Sequence, residues 1–318
     1  MIKAIAIVGP TASGKTRLSL ELSERLGAEI ISLDSMQIYR GMNIGTAKAS
    51  EAERAKIPHH MIDFLSPGES YSTERYRADA IAAAREISER GKIPLFVGGT
   101  GLYLDTLLRA PQTNTPESSD EYRDKILAQL KTQDDVHALW ERLCAVDPES
   151  AEKIHENNVR RVIRALEIYD TTGITKTRLD EASKEAARDI DVLVLLLDFN
   201  SRETLYNRID KRVDEMMEEG LLSEVKELYE NGFLDGANTA SQAIGYKELL
   251  PCVRGESGLT EAVELLKQST RRYAKRQLTW FRHVDASKIM MDGEDGNLRS
   301  FDEILSSALE TINTQFKG

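Results

Sequence analysis

The clearest chemistry in this sequence is that of a phosphate-binding loop. Residues 9–16 read GPTASGKT and fit G-x-x-x-x-G-K-[ST], a pattern that aims backbone N–H groups and a helix N-terminus at phosphate oxygens. An apolar run precedes the loop and a helical pattern follows it. The lysine adds positive charge, and the threonine hydroxyl can ligate Mg²⁺. The candidate contacts to a di- or triphosphate are Gly9, Pro10, Thr11, Ala12, Ser13, Gly14, Lys15 and Thr16, the last also being the candidate metal ligand.

Two further polar residues directly follow predicted strands. Asp34 follows Glu29–Leu33, and its carboxylate could accept a proton or hold Mg²⁺ through water. The alternative is a turn aspartate that caps the next segment. Thr100 lies in the sequence GGTG after the strand Ile93–Val97. Its neighbouring glycines allow the backbone to approach an anion or a base closely, or they form only a tight turn.

Two arginines share one face of a predicted helix. Arg208 and Arg212 lie four residues apart within Arg202–Glu219. A guanidinium group suits a phosphate whose charge grows during a reaction. The alternative is a solvated face with intrahelical ion pairs, because acidic residues lie nearby. The spacing leaves both readings open.

These residues must be positioned by a sheet. Short apolar runs alternate with helical patterns, and the predicted strands are Ile2–Val8, Glu29–Leu33, Ile93–Val97 and Val192–Leu197. This alternation favours an α/β fold with a parallel sheet flanked by helices. Ligands of such sheets bind beyond the carboxyl ends of the strands, so the phosphate loop, Asp34 and Thr100 should meet at one edge.

The middle of the chain has a different pattern. Its predicted helices include Tyr122–Lys131, Asp135–Ala145 and Val159–Thr172, with no strand evident before Val192. We therefore predict a core of residues 1–112 and 192–318, interrupted by an all-helical insertion of residues 113–191.

Composition limits the class of protein. The chain has 318 residues, 41% of them hydrophobic and 30% charged, as expected of a globular protein. No apolar run approaches the roughly 18 residues of a membrane helix, so we expect no membrane association. The two cysteines are far apart and form no zinc motif, which favours the reducing cytoplasm.

Basic residues are unevenly distributed in this acidic chain, whose net charge is −11. One cluster falls on the predicted helix Val159–Thr172, and the other on the predicted helix Thr260–Arg282. We expect contact with a nucleic-acid backbone, because binding depends on the local field rather than the net charge. The interleaved aromatic residues Trp280 and Phe281 could instead be core anchors.

Together these segments resemble the bacterial tRNA dimethylallyltransferases. Besides the phosphate loop, the matching segments are DSMQIYRGMNIGTAK at 34–48, PHHMID at 58–63, GGTGLY at 98–103, RIDKRVDEM at 208–216, QAIGYK at 242–247 and KRQLTWFR at 275–282. They cover the chain almost end to end and in the family's order. The segment that begins at Asp34 is far more specific than the loop.

The resemblance implies a fold of the P-loop kinase type and a defined reaction. A dimethylallyl group would move from dimethylallyl diphosphate to the exocyclic amine (N6) of the adenosine 3′-adjacent to the anticodon, in tRNAs that read codons starting with U. Asp34 would be the base, Thr100 its neighbour, and Arg212 or Arg208 a partner of the diphosphate, with Mg²⁺ as cofactor. One complete site per chain favours a monomer.

The resemblance also implies contacts with the tRNA anticodon stem-loop, partly from the helical insertion. The residues concerned are Asp34, Ser35, Met36, Gln37, Arg161, Val162, Ile163, Arg164, Ala165, Gln242, Ala243, Ile244, Gly245, Tyr246, Lys247, Lys275, Arg276, Gln277, Leu278, Thr279, Trp280, Phe281 and Arg282.

Three alternatives remain from the sequence. An adenylate isopentenyltransferase would use a free nucleotide as acceptor. An ATP-dependent small-molecule kinase would share the loop, the fold and Mg²⁺, but it would bind ATP and move a phosphoryl group. An RNA-binding module without chemistry would not need a lysine, a hydroxyl and a carboxylate around one crevice.

Overall fold

The computed structural model describes residues 1–110, 119–185, 188–234 and 238–316. Its strands are Ile2–Val8 (β1), Ala28–Leu33 (β2), His59–His60 (β3), Ile93–Gly98 (β4), Ile190–Asp198 (β5) and Ser287–Met290 (β6). Its helices are Lys15–Leu26 (α1), Glu51–Lys56 (α2), Thr73–Glu89 (α3), Gly101–Leu108 (α4), Asp120–Gln129 (α5), Gln133–Val146 (α6), Pro148–Lys153 (α7), Val159–Thr172 (α8), Lys176–Glu185 (α9), Arg202–Glu218 (α10), Leu221–Glu230 (α11), Tyr246–Val253 (α12), Leu259–Phe281 (α13) and Phe301–Gln315 (α14).

One parallel sheet organises the first of two compact units, which comprises residues 1–105 and 190–318. Its six strands have the order β3-β2-β4-β1-β5-β6. Strand β1 is central and buried, which explains its uninterrupted apolar sequence. The carboxyl ends of β1, β2 and β4 are neighbours, so the phosphate loop, Asp34 and Thr100 meet at one edge. The predicted α/β class and parallel sheet are confirmed.

The sequence patterns did not predict the two outermost strands of the sheet. Strands β3 and β6 have only two and four residues, too few to show a periodic pattern. Helix α3 begins at Thr73, because the Ser72 side chain accepts the Arg75 N–H as an N-cap. A local cap therefore sets the start of this helix.

Two apolar clusters fill this unit. One packs helices α1 and α14 against the sheet and includes Leu18, Leu22 and Ile304. The other joins α10, α11, α12 and α13 to the chain that follows β2, through residues such as Tyr39, Leu221 and Tyr246. Burial of each large apolar side chain contributes about 1.5–3 kcal/mol. The second cluster thus ties the segment after Asp34 to helices much later in the sequence.

The second compact unit comprises residues 106–189. Its core is formed by α6, α7 and α8, with Leu143, Val162 and Leu166 buried. Helix α8 has the predicted bounds and is capped by Gly173, whose φ of 70° is left-handed. The limit predicted between residues 112 and 113 lies outside the described residues. Within its described part, this unit contains helices and no strand.

Among the described residues, no helix is long and apolar enough to cross a lipid bilayer.

Candidate active site

The loop after β1 is shaped to surround an anion. Gly9, Ala12 and Gly14 all have positive φ, at 155°, 62° and 89°. A Cβ on Gly9 would lie 2.7 Å from the Leu197 carbonyl oxygen, so only glycine fits there. Gly14 is the N-cap of α1 and offers no side chain to the first N–H groups of that helix. These donors are therefore available to an anionic ligand.

Lys15 lies beneath the loop. Its Nζ donates to the carbonyl oxygens of Gly9 at 3.0 Å and of Pro10 at 2.7 Å. Desolvation and the nearby charge of Arg212 lower the pKa of Lys15 to about 7, against the opposing effect of Asp34. An anion bound in the loop would favour the charged ammonium form.

Ser13 indicates that the loop is built for a ligand. The residue is fully buried, and its Oγ has no hydrogen-bond partner among the described residues. An unpaired buried hydroxyl costs about 1–3 kcal/mol. Because Ser13 lines the cavity that the loop borders, an oxygen atom of a bound phosphate can accept a hydrogen bond from its hydroxyl.

The structure separates the roles of the two arginines of α10. Arg208 donates through Nε to the Ala12 carbonyl oxygen at 2.8 Å and so braces the loop. Arg212 lines the cavity and has no hydrogen bond or ion pair within the described ranges. Desolvation lowers its pKa, an effect that Asp34 opposes. Neither arginine forms the intrahelical pairs that the alternative reading required, and Arg212 is available to an anion.

Asp34 combines the two roles that the sequence left open. Its Oδ1 accepts the N–H groups of Met36 at 2.8 Å and Gln37 at 3.3 Å, which is the capping role. Its Oδ2 has no hydrogen bond to any described residue, and Asp34 lines the cavity. One oxygen therefore holds the backbone turn while the other is available for proton transfer.

The GGTG turn fits between neighbouring elements. A Cβ on Gly98 would lie 2.0 Å from the Leu33 carbonyl oxygen, and one on Gly101 would lie 2.4 Å from the Trp280 ring. The tight-turn reading thus accounts for these glycines. Thr100 accepts the Ser35 N–H on Oγ1 at 3.1 Å and so lies beside the Asp34 segment rather than in the cavity lining.

These groups surround a cavity of about 370 Å³ in the first unit. Its polar side includes Thr11–Thr16, Asp34 and Arg212, and its apolar side includes Val97 and Leu266. The cavity thus joins a phosphate-binding end to an apolar surface with a carboxylate beside them. A small diphosphate ester with an apolar group fits this arrangement.

Gln277 braces the site from α13. The Thr11 N–H donates to its Oε1 at 2.9 Å, and its Nε2 donates to the Gly99 carbonyl oxygen at 2.9 Å. Both ends of the amide therefore bind protein, and the residue is buried. Gln277 also lines the cavity, and its predicted RNA contact stays a prediction.

Replacing Gln277 with leucine is expected to loosen the loop. The Thr11 N–H and the Gly99 carbonyl would lose their partners, which lowers the free energy of unfolding by about 1–3 kcal/mol. Urea unfolding followed by circular dichroism measures this effect. Gln268→Leu, at an exposed position of the same helix, is the control and should unfold like the wild type. Equal stabilities of the two variants would contradict the bracing role.

The residues predicted to contact RNA differ in burial. Val162, Ile163 and Ala165 lie in the core of the second unit, where Arg164 pairs with Glu167 at 2.7 Å. In the first unit, the buried members of the predicted set are Ala243, Gly245, Tyr246, Gln277, Leu278 and Phe281. The exposed members are Arg161, Gln242, Lys247, Lys275, Arg276, Thr279, Trp280 and Arg282. Some buried members, such as Ala243 and Gly245, line the cavity, so all of the predicted RNA contacts stay predictions.

Gln37 lines the cavity, and its side chain also holds the protein backbone. Its Nε2 donates to the carbonyl oxygens of Thr46 at 3.1 Å and Ala47 at 3.3 Å. Sequence reasoning missed Glu224, which anchors the same loop, and Tyr273, which lines the cavity. No local pattern could have found Glu224, because its backbone partners are some 180 residues away.

No group of three or more metal-ligating His, Cys, Asp or Glu side chains occurs within the described part of the chain. The Thr16 hydroxyl is exposed at the start of α1, and Thr16 lines the cavity with Asp34. Magnesium usually keeps several waters and binds through few protein groups plus substrate phosphates. The donor set fits such a shared site.

Comparisons with known families and proteins agree in their descriptions. The family model described as IPP transferase matches residues 37–284, and the model described as isopentenyl transferase matches residues 2–63. A tRNA dimethylallyltransferase of Anoxybacillus flavithermus is 47% identical over 282 residues, which cover 88% of this chain and 88% of that protein.

Solved structures are similar over nearly the whole chain. A tRNA delta(2)-isopentenylpyrophosphate transferase from Staphylococcus epidermidis has a TM-score of 0.70 at 41% identity, covering 99% of this chain and 100% of that one. A eukaryotic dimethylallyltransferase acting on tRNA has a TM-score of 0.84 at 33% identity, covering 100% of this chain and 80% of that one.

Proposed function

This chain belongs to the tRNA dimethylallyltransferase family, and we propose that it transfers a dimethylallyl group from dimethylallyl diphosphate to tRNA. The acceptor is N6 of the adenosine 3′-adjacent to the anticodon, in tRNAs that read codons starting with U. A C–O bond to diphosphate breaks, a C–N bond forms, and diphosphate and a proton are released. The observation that carries the proposal is that Lys15, Arg212 and Asp34 line one cavity.

The phosphate end of the cavity would stabilise the leaving group. Diphosphate gains negative charge as the C–O bond breaks, and preorganised donors lower the barrier when they are directed at that charge. Lys15 and Arg212 supply positive charge, while the loop N–H groups and the Ser13 hydroxyl supply hydrogen bonds. Arg208 keeps the loop in place through the Ala12 carbonyl.

Asp34 would act on the acceptor. The adenine amine is a weak nucleophile because its lone pair is delocalised into the ring. A hydrogen bond from N6 to the free Oδ2 of Asp34 orients the amine, and the carboxylate takes the proton as the C–N bond forms. Thr100 holds the Ser35 N–H and thereby supports the backbone next to this base.

A divalent cation completes the proposed site. The Thr16 hydroxyl and the diphosphate oxygens would hold Mg²⁺, which neutralises negative charge on the leaving group.

The acceptor adenosine must leave its stack to reach the cavity, at a cost of a few kcal/mol. Arg276 lines the cavity, Lys275 is exposed on the same helix, and Arg282 is exposed directly after the helix ends, so these groups are the proposed contacts to the RNA backbone. Contact of the second unit with the anticodon stem-loop, through Arg161, stays a prediction. The monomeric state and a cytoplasmic location stay predictions as well.

The proposal is tested by incubating the purified protein with labelled dimethylallyl diphosphate, Mg²⁺ and unmodified tRNA. Nucleoside mass spectrometry of the digested RNA should reveal prenylated adenosine, and sequencing of RNA fragments should place it 3′ of the anticodon. Label on free adenine nucleotides alone would indicate the adenylate isopentenyltransferase. Transfer of phosphate from ATP with unprenylated RNA would indicate the kinase.

A further inference from the structure

Glu224 forms a clamp on the loop that follows Asp34. Its Oε2 accepts the N–H groups of Asn43 at 2.9 Å and Ile44 at 2.8 Å. Its Oε1 accepts the Gly45 N–H at 3.1 Å and the Tyr246 hydroxyl at 2.6 Å. One carboxylate in the first turn of α11 thus accepts four hydrogen bonds, three of them from consecutive backbone groups.

The clamped loop needs this support. Ala47 has a φ of 47°, which a non-glycine residue adopts only when its surroundings enforce it. Gly45 passes so close to Tyr246 that a Cβ there would lie 2.6 Å from the ring. Desolvation and the Glu224 carboxylate both raise the pKa of Tyr246, so its hydroxyl stays protonated and donates to the carboxylate.

The loop in turn determines the position of the segment that carries Asp34. The carbonyl oxygens of Thr46 and Ala47 accept both N–H groups of the Gln37 amide. The Gln37 backbone N–H donates to Oδ1 of Asp34 at 3.3 Å. Residues 45–47 also line the cavity beside Asp34. Contacts therefore run from Glu224 through the loop and Gln37 to Asp34.

From this geometry, and resting on the proposed function, we infer that Glu224 is a positioning residue for the acceptor half of the reaction. It fixes the loop 43–47 and, through Gln37, the Asp34 carboxylate that receives the N6 proton. None of its hydrogen bonds involves the phosphate loop. Its loss should therefore impair use of the RNA acceptor and leave diphosphate binding intact.

Glu224→Gln is the variant that tests the positioning role most directly. The amide keeps the size of the side chain but directs an NH₂ group at backbone N–H donors, so at least one of Asn43, Ile44 or Gly45 loses its acceptor. A misplacement of about 1 Å at a reacting group can cost roughly 10²-fold in rate, which is the expected loss in kcat/KM for tRNA. Glu224→Asp retains the carboxylate and should recover part of the activity.

The experiment measures kcat and KM for unmodified tRNA at saturating dimethylallyl diphosphate, together with the affinity for inorganic diphosphate by calorimetry. Glu227→Gln, at an exposed position of the same helix, is the matched control and should behave as wild type. Tyr246→Phe removes a single donor to Glu224 and should lower kcat/KM for tRNA by a smaller factor.

The outcomes separate this inference from the proposed function. Loss of acceptor use with unchanged diphosphate affinity supports the positioning role. Parallel loss of both properties would show a purely structural role and overturn it, as would wild-type kinetics of Glu224→Gln. A wild-type protein that prenylates no RNA would overturn the proposed function, and this inference with it.

Discussion

Asp34→Asn is expected to abolish nearly all prenyl transfer, lowering the single-turnover rate by about 10²–10⁴-fold. Asparagine retains an oxygen for the N–H groups of Met36 and Gln37, so the turn persists. The amide cannot, however, take the proton from N6. The rate is measured with saturating tRNA and dimethylallyl diphosphate.

Two comparisons distinguish the loss of a catalytic base from a loss of structure. Inorganic diphosphate should bind Asp34→Asn at least as tightly as wild type, because a negative charge near Lys15 and Arg212 is removed. Asp198→Asn is the matched control, since Asp198 also ends a core strand and accepts the next N–H, at 2.9 Å, but does not line the cavity. Near-normal turnover of Asp34→Asn would show that another group is the base.

Arg212→Gln is expected to slow prenyl transfer by about 10²–10³-fold, because a preorganised charge directed at the leaving diphosphate is lost. Within the described residues this guanidinium makes no direct hydrogen bond or ion pair, so it is available to a ligand. The loss should appear in kcat, and calorimetry should also show weaker binding of inorganic diphosphate.

Two neighbours on α10 serve as comparisons. Lys211→Gln is the control, because Lys211 is exposed and pairs with Glu215 on its own helix. Arg208→Gln should have a smaller effect than Arg212→Gln, since Arg208 acts through the Ala12 carbonyl. If Arg208→Gln slowed prenyl transfer to the full extent and Arg212→Gln did not slow it, Arg208 would be the arginine that stabilises the leaving diphosphate.

Local sequence patterns were sufficient to predict the phosphate loop and the residues that meet at the carboxyl ends of the strands. The loop lies between an apolar strand and an amphipathic helix, and each of these features is encoded within a few consecutive residues. The positions of Asp34 and Thr100 followed because parallel strands align their carboxyl ends. Strands β3 and β6 were not predictable in this way, since they are too short for periodicity and form by pairing with β2 and β5.

Patterns could not separate a side chain that contacts a ligand from one that contacts protein. Gln37 and Gln277 both lie in segments that match the family, yet both amides bind backbone groups of this chain. Helix α8 similarly places Arg161 in solvent and buries Val162 beside it. A motif is contiguous in sequence, but burial alternates around a helix and depends on what packs against it.

The sequence by itself determined the strand, loop and helix that hold phosphate, because those signals are local, and its resemblance to a known family gave the reaction class to expect. Only the tertiary structure decided which side chains line the cavity and which support its walls. In the folded chain Arg212 lines the cavity, and Arg208 donates to the Ala12 carbonyl oxygen. Glu224 accepts backbone N–H groups some 180 residues away. The physical reason is that packing of the apolar helix faces sets these encounters, and no short stretch of residues encodes both partners.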